Sequence, residues 1–182
     1  MIRDARAALA LLEERGALTL GALASAVAGE TIRGSWWAHP KGKLVYAIAS
    51  ELEDRPDVLA CKLLGRATFV HRALWAPLVR VVTDEGFRRA AERSLSLPAR
   101  RLARRTDAPA RLDKKTLSPR ERAALERSCI LHISSAHTER GAHATIVRSW
   151  SSWAPKDVAR AARAMSLPDA RAALAARGLS LV

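Results

Sequence analysis

Cysteine is scarce in this chain: Cys61 and Cys129 are the two in 182 residues. They stand in the apolar runs Val58-Leu59-Ala60-Cys61 and Cys129-Ile130-Leu131, and neither belongs to a CxxC. That pattern points away from a disulfide framework or a thiolate zinc knot and predicts buried free thiols in a reducing, cytoplasmic setting. No apolar stretch approaches the roughly 18 residues a bilayer span needs. The start, Met1-Ile2-Arg3-Asp4, lacks the basic, apolar and cleavage regions of a signal peptide, so no membrane partner is expected. A phosphate-cradling glycine loop, a dinucleotide-binding glycine fingerprint, a GxSxG elbow and an HExxH are all missing. Nucleotide-dependent chemistry is therefore disfavoured, and no cofactor or metal is expected.

Negative charge is also in short supply. Eighteen Asp and Glu face 31 Lys and Arg, a formal net charge of +13, and the cations are densest from Arg100 to Lys115. A compact chain so far from neutrality repels itself unless a polyanion cancels the field. The partner predicted is nucleic acid, double-stranded DNA in the first instance, held by phosphate contacts and counterion release. Arginine and alanine enrichment from a GC-rich genome is the competing account of the same composition. With 49% hydrophobic residues the chain can bury a real core, in one large domain or two small ones.

Periodicity and caps predict the elements. A helix over 3–15 stops at Gly16, and Thr19 caps a second that runs to Gly29. The segment from Gly29 to Pro40 has no period and is a loop holding Trp36-Trp37, after which Leu44, Val45, Ile48 and Leu52 mark a third helix. Strands over 58–64 and 67–71, turned at Gly65-Arg66, form a hairpin. Helices over 73–82 and 84–95 follow. Residues 97–117, rich in arginine and broken by Pro98 and Pro109, predict a linker or basic arm. Ser118-Pro119 then starts a helix to about Ser128, a second hairpin spans 130–136 and 142–150 through a turn at 138–141, and helices over 155–165 and 167–177 close the chain.

Three helices followed by a hairpin, over these residues, is an order that resembles winged-helix DNA-binding domains. The resemblance implies that the third helix enters the major groove and that the hairpin is a wing. The expected fold is α+β, with a winged-helix-like nucleic-acid-binding part over 1–96, a basic linker over 97–117 and a smaller helix-hairpin-helix part over 118–182.

Three groups of candidate binding residues follow. Trp36 and Trp37 sit in a loop with Arg33, His39, Lys41 and Lys43, where one indole can stack on a base or wedge a duplex step while the cations hold phosphates. Packing of at least one indole against the core is the competing expectation. Lys62 and Arg66 on the first hairpin, with Arg72 after it, are placed to meet a backbone or minor groove, or to blunt a sheet edge. Arg100, Arg101, Arg104, Arg105, Lys114 and Lys115 form the basic run. The one cluster with catalytic residue types is His132, His137, Glu139 and His143 around the second hairpin. From it, His137, Glu139 and His143 are weak candidates for acid-base work. The expected function is regulatory or repair-associated DNA binding. The alternatives are a glycosylase or hydrolase acting on nucleic acid, with the tryptophan loop as wedge, and an interaction module whose basic arm meets an acidic protein.

Overall fold

The protein is described by a computed structural model at residues 1–113, 115–137 and 143–181. It is an α+β chain with two compact units, Met1–Ala60 with Ala67–Leu74, and Cys61–Arg66 with Trp75–Val182. Among the described residues no helix is long and apolar enough to cross a membrane.

In the first unit α1 (Ala5–Arg15) begins where Asp4 Oδ1 accepts the Ala7 amide at 2.8 Å, satisfying a first-turn donor that has no partner inside the helix. Gly16, at φ 74°, ends it. The three-residue strand β1 (Ala17–Thr19) was not expected. Thr19 Oγ1 accepts the Ala22 amide and caps α2 (Leu20–Ala28), which closes on left-handed Gly29. After a single 3-10 turn at Trp36–Ala38 comes α3 (Gly42–Glu53), whose Val45, Ile48, Ala49 and Leu52 recur at helical spacing and are buried. The hairpin of β2 (Val58–Leu63) and β3 (Arg66–His71) turns through Leu64-Gly65, one residue earlier than predicted. Both turn residues have positive φ, 51° and 77°, the pair of conformations a tight two-residue turn needs to match strand twist. The sheet order is β1-β3-β2, with Leu18 opposite Phe69. Leu12, Leu23, Val27, Val45, Ile48, Leu52 and Phe69 form the core of this unit, joining α1, α2 and α3 to the sheet.

The second unit contains α4 (Trp75–Val82), α5 (Glu85–Arg93), α6 (Leu97–Arg105), β4 (Ala110–Arg111), α7 (Pro119–Ser128), β5 (His132–His137), β6 (His143–Arg148), α8 (Trp150–Trp153), α9 (Lys156–Ala164) and α10 (Leu167–Ala175). Its sheet runs β4-β6-β5, with Ile133 opposite Val147. Leu78, Val81 and Val82 of α4 are buried with Val158 and Ala162 of α9 and Ala170 and Leu174 of α10. A second cluster joins Ala99, Ala103, Leu112, Leu117, Leu125, Ile133 and Val147.

That cluster corrects the predicted linker. Residues 97–105 are a helix whose Ala99 and Ala103 are buried, and Leu112 and Leu117 follow them into the core. Pro98 does not break α6 because it sits in the first turn, where a missing N–H costs nothing. The break between units accordingly falls at Trp75, not at 96, and the hairpin tip Cys61–Arg66 belongs with the second unit. Both cysteines are buried and free. The turn predicted at 138–141 lies outside the described residues.

Candidate nucleic-acid interface

The connection between α2 and α3 is built as a fixed scaffold. Ser25 Oγ accepts the Ile32 amide at 3.3 Å, and Lys41 Nζ donates to the Val27 and Ala28 carbonyls at 3.2 and 3.0 Å, satisfying acceptors left open at the end of α2. His39 Nδ1 accepts the Lys41 amide at 3.2 Å, so its proton is on Nε2, which donates to Glu30 Oε1 at 3.1 Å. Gly42 holds the turn against α3: a Cβ there would come within 3.0 Å of the Trp36 and Trp37 carbonyl oxygens.

On this scaffold the two indoles part company. Trp36 is half-buried and packs on the core of the first unit, while Trp37 is 59% exposed and stacks on it at 4.2 Å between ring centroids and 24° between planes. Tyr46, 42% exposed, lies 5.3 Å from Trp37 with a 37° tilt. Tyr46 was not a predicted site residue. Its signal was present, since it falls three residues after Lys43 and off the Val45, Ile48, Leu52 stripe, which places it with Lys43 on the outward side of α3.

Gly42→Ala tests this construction. Its methyl meets backbone rather than a flexible side-chain end, so a loss of about 1–3 kcal/mol is expected. Gly21→Ala, in α2 with nothing within 4 Å of the added carbon, should instead gain a few tenths to about 1 kcal/mol from helix propensity. Urea denaturation of both variants checks the opposite signs; equal effects would contradict the close approach at Gly42.

The predicted cations divide into engaged and open ones. Lys41 and His39 are taken up by the scaffold. Lys62 Nζ is 2.7 Å from Glu126 Oε1, and the neighbouring Gly65 amide donates to the Glu126 carbonyl. Arg100 Nε donates to the Leu95 carbonyl at 2.8 Å, and Arg104 pairs with Glu92 at 2.6 Å, holding the Glu92 carboxyl below its ordinary pKa chiefly by that hydrogen bond. Arg66 and Arg72 are exposed. Arg33, Lys43, Arg101, Arg105 and Lys115 are exposed and make no hydrogen bond or ion pair among the described residues. Lys114 lies outside the described residues.

On the second hairpin the strand register sets His137 opposite His143, the two histidines of the predicted acid-base group. His132 is opposite Arg148 in register, and the His137–His143 pair lies five positions away. Glu139 lies outside the described residues. His132 itself is a core residue: its ring stacks on Trp153 at 5.2 Å and 4°, stands perpendicular to Trp150, and accepts at Nδ1 from Arg148 Nε at 3.4 Å. Burial first, and the Arg148 charge second, push its pKa down to about 3, so it is neutral and cannot serve as a proton shuttle near neutrality.

Two further features bring polar groups or cavities together. Glu13, Asp57 and His71 bring one potential ligand atom each to within 4.8 Å of one another. Both Asp57 oxygens are already held by Arg55, at 2.9 and 3.1 Å, and that hydrogen bonding lowers the Asp57 pKa. With Asp57 engaged in that ion pair, the cluster carries no argument for a metal. Surface depressions of about 370, 360 and 400 Å³ on the second unit are walled by apolar residues, serines, a threonine and arginines, and none of the three has a histidine or carboxylate in its wall. Comparison of the chain with protein-family models, with curated proteins and with solved structures returns no match to any of them.

Proposed function

We propose that the protein binds duplex nucleic acid, DNA in a regulatory or repair-associated role, through the outward side of α3. The observation that carries this reading is the division of that helix. Val45, Ile48, Ala49 and Leu52 are buried, whereas Lys43, Leu44, Tyr46 and Ala47 meet solvent with Trp37 beside them. The order of three helices and a hairpin, which resembles winged-helix domains, is consistent with α3 as the groove-entering helix, and the resemblance extends no further than the first unit. The helix-hairpin-helix reading of the C-terminal part carries no functional argument of its own.

Charge gives the contact a direction. Lys43 stands in the first turn of α3 and Arg33 in the connection before it, while exposed Glu51 and Asp54 mark the other end, so the N-terminal half approaches the phosphates. The intervening segment 29–41 is longer than the three or four residues of a compact helix-turn-helix link, and the difference is where the tryptophans reside. Arg101 and Arg105 add attraction that carries no sequence information.

Affinity for a random duplex, measured by fluorescence anisotropy, should fall on the order of ten- to forty-fold over a roughly fourfold rise in salt, as two or three phosphate contacts require. The Arg33→Ala, Lys43→Ala double variant should flatten that slope. Binding absent at low salt, or indifferent to salt, would remove the reading.

A further inference from the structure

Resting on the nucleic-acid reading of the first unit, the aromatic surface beside α3 narrows the ligand. A large ring exposed as fully as Trp37 is costly to keep in water unless something covers it. The ring is also held in place, because its inner face rests on Trp36, which is anchored in the core, and Gly42 fixes the turn beneath both. Tyr46 adds a second ring on the same surface. Paired DNA presents groove edges and phosphates, and its base faces are hidden in the stack, so a preorganised indole face gains little from a regular duplex. An unstacked base offers the complementary flat surface, and stacking is tolerant of which base it is.

From this we infer that Trp37 and Tyr46 are a platform for one unpaired base, and that the preferred ligand is duplex DNA carrying such a base rather than a fully paired duplex. Arg33 precedes the platform in sequence and Lys43 lies between its two rings, and both are open to hold the flanking phosphates. Arg33, Lys41 and Lys43 outnumber Glu30, the one carboxylate of residues 30–43, so the segment is cationic and suits a polyanion.

The test compares the full chain bound to a paired duplex and to the same duplex with a single extra unpaired base. Anisotropy titrations at low salt should show the bulged duplex bound on the order of ten-fold more tightly. Trp37→Ala should abolish that preference, Trp37→Phe should keep most of it, and Tyr46→Ala should lose part. The Arg33→Ala, Lys43→Ala double variant should weaken both duplexes alike. Equal affinity of the wild-type protein for the two duplexes would overturn the platform while leaving duplex binding intact. Binding of neither would overturn both. Retained preference in a Trp37→Ala protein with an unchanged circular dichroism spectrum would also overturn the platform.

Discussion

Lowering the pH from 7 to about 4.5 is expected to remove roughly 2–3 kcal/mol of stability through a single side chain, His132. The residue is 1% exposed, its Nε2 has no hydrogen-bond partner among the described residues, and its Nδ1 faces an arginine whose own pKa is lowered by burial. Protonation in the folded state would place an unsolvated charge beside Arg148, and the folded pKa drops from 6.5 to about 3. An unfolded chain takes up that proton near its ordinary value. Between the two values the unfolded state binds more protons, so stability rises with pH and is lost as pH falls through 6.5 towards 3, reaching about 4–5 kcal/mol at the lower end. Asp57, Asp84, Glu92 and Glu121 have lowered pKa values and also make the fold acid-labile, but their contribution is present above the unfolded carboxylate range and fades only below about pH 4.5. Among the described residues, the shift that acts in the window above that is the one at His132. His132→Phe, which keeps a ring between Trp153 and Trp150, should flatten the dependence between pH 6.5 and 4.5 in urea denaturation. Parallel curves for the two proteins would contradict the assignment.

Trp150→Ala is expected to destabilise the second unit by about 3–5 kcal/mol. Trp150 is fully buried, meets His132 and Trp153 at right angles, and donates from Nε1 to the Cys129 carbonyl at 2.8 Å. Truncation opens a cavity and also orphans that carbonyl, at the residue that ends α7 in the left-handed conformation with φ 54°. Trp150→Phe should cost less, because most of the volume stays and only the hydrogen bond is lost. Trp37→Ala, by contrast, should lie within about 0.5 kcal/mol of wild type, since the ring is on the surface. Denaturation followed by far-ultraviolet circular dichroism checks the ranking, and similar losses at positions 37 and 150 would contradict it.

The candidate interface was partly legible. The tryptophan loop and its flanking cations were identified from residue type alone, because paired indoles among basic residues are unusual in any context. Which indole faces water was not readable, since it depends on the α1, α2 and α3 core that receives Trp36. Charge was read in the same incomplete way: density of arginine identifies a surface, but pairing decides which cations remain open. Arg100 and Arg104 are held by the Leu95 carbonyl and by Glu92, partners that α5 and the turn after it bring within reach, so only Arg101 and Arg105 of that quartet stay open.

Helix starts and stops were determined locally. Asp4, Thr19, Asp84 and Ser118 each accept an amide three residues ahead, and Gly16 and Gly29 adopt the positive φ that ends a helix, so a few adjacent residues contain the whole interaction. The tertiary structure alone decided the rest. Strand β1 exists because Ala17 to Thr19 pair with Thr68 to Val70, some fifty residues on, and a three-residue segment has no period of its own. Residues 97–117 read as an arm because prolines and like charges are local signals, whereas burial of Ala99, Ala103, Leu112 and Leu117 is a collective one. His132 carried the chemistry of a catalytic group in the sequence and became a neutral core ring, because only packing between Trp150 and Trp153 sets the dielectric around it.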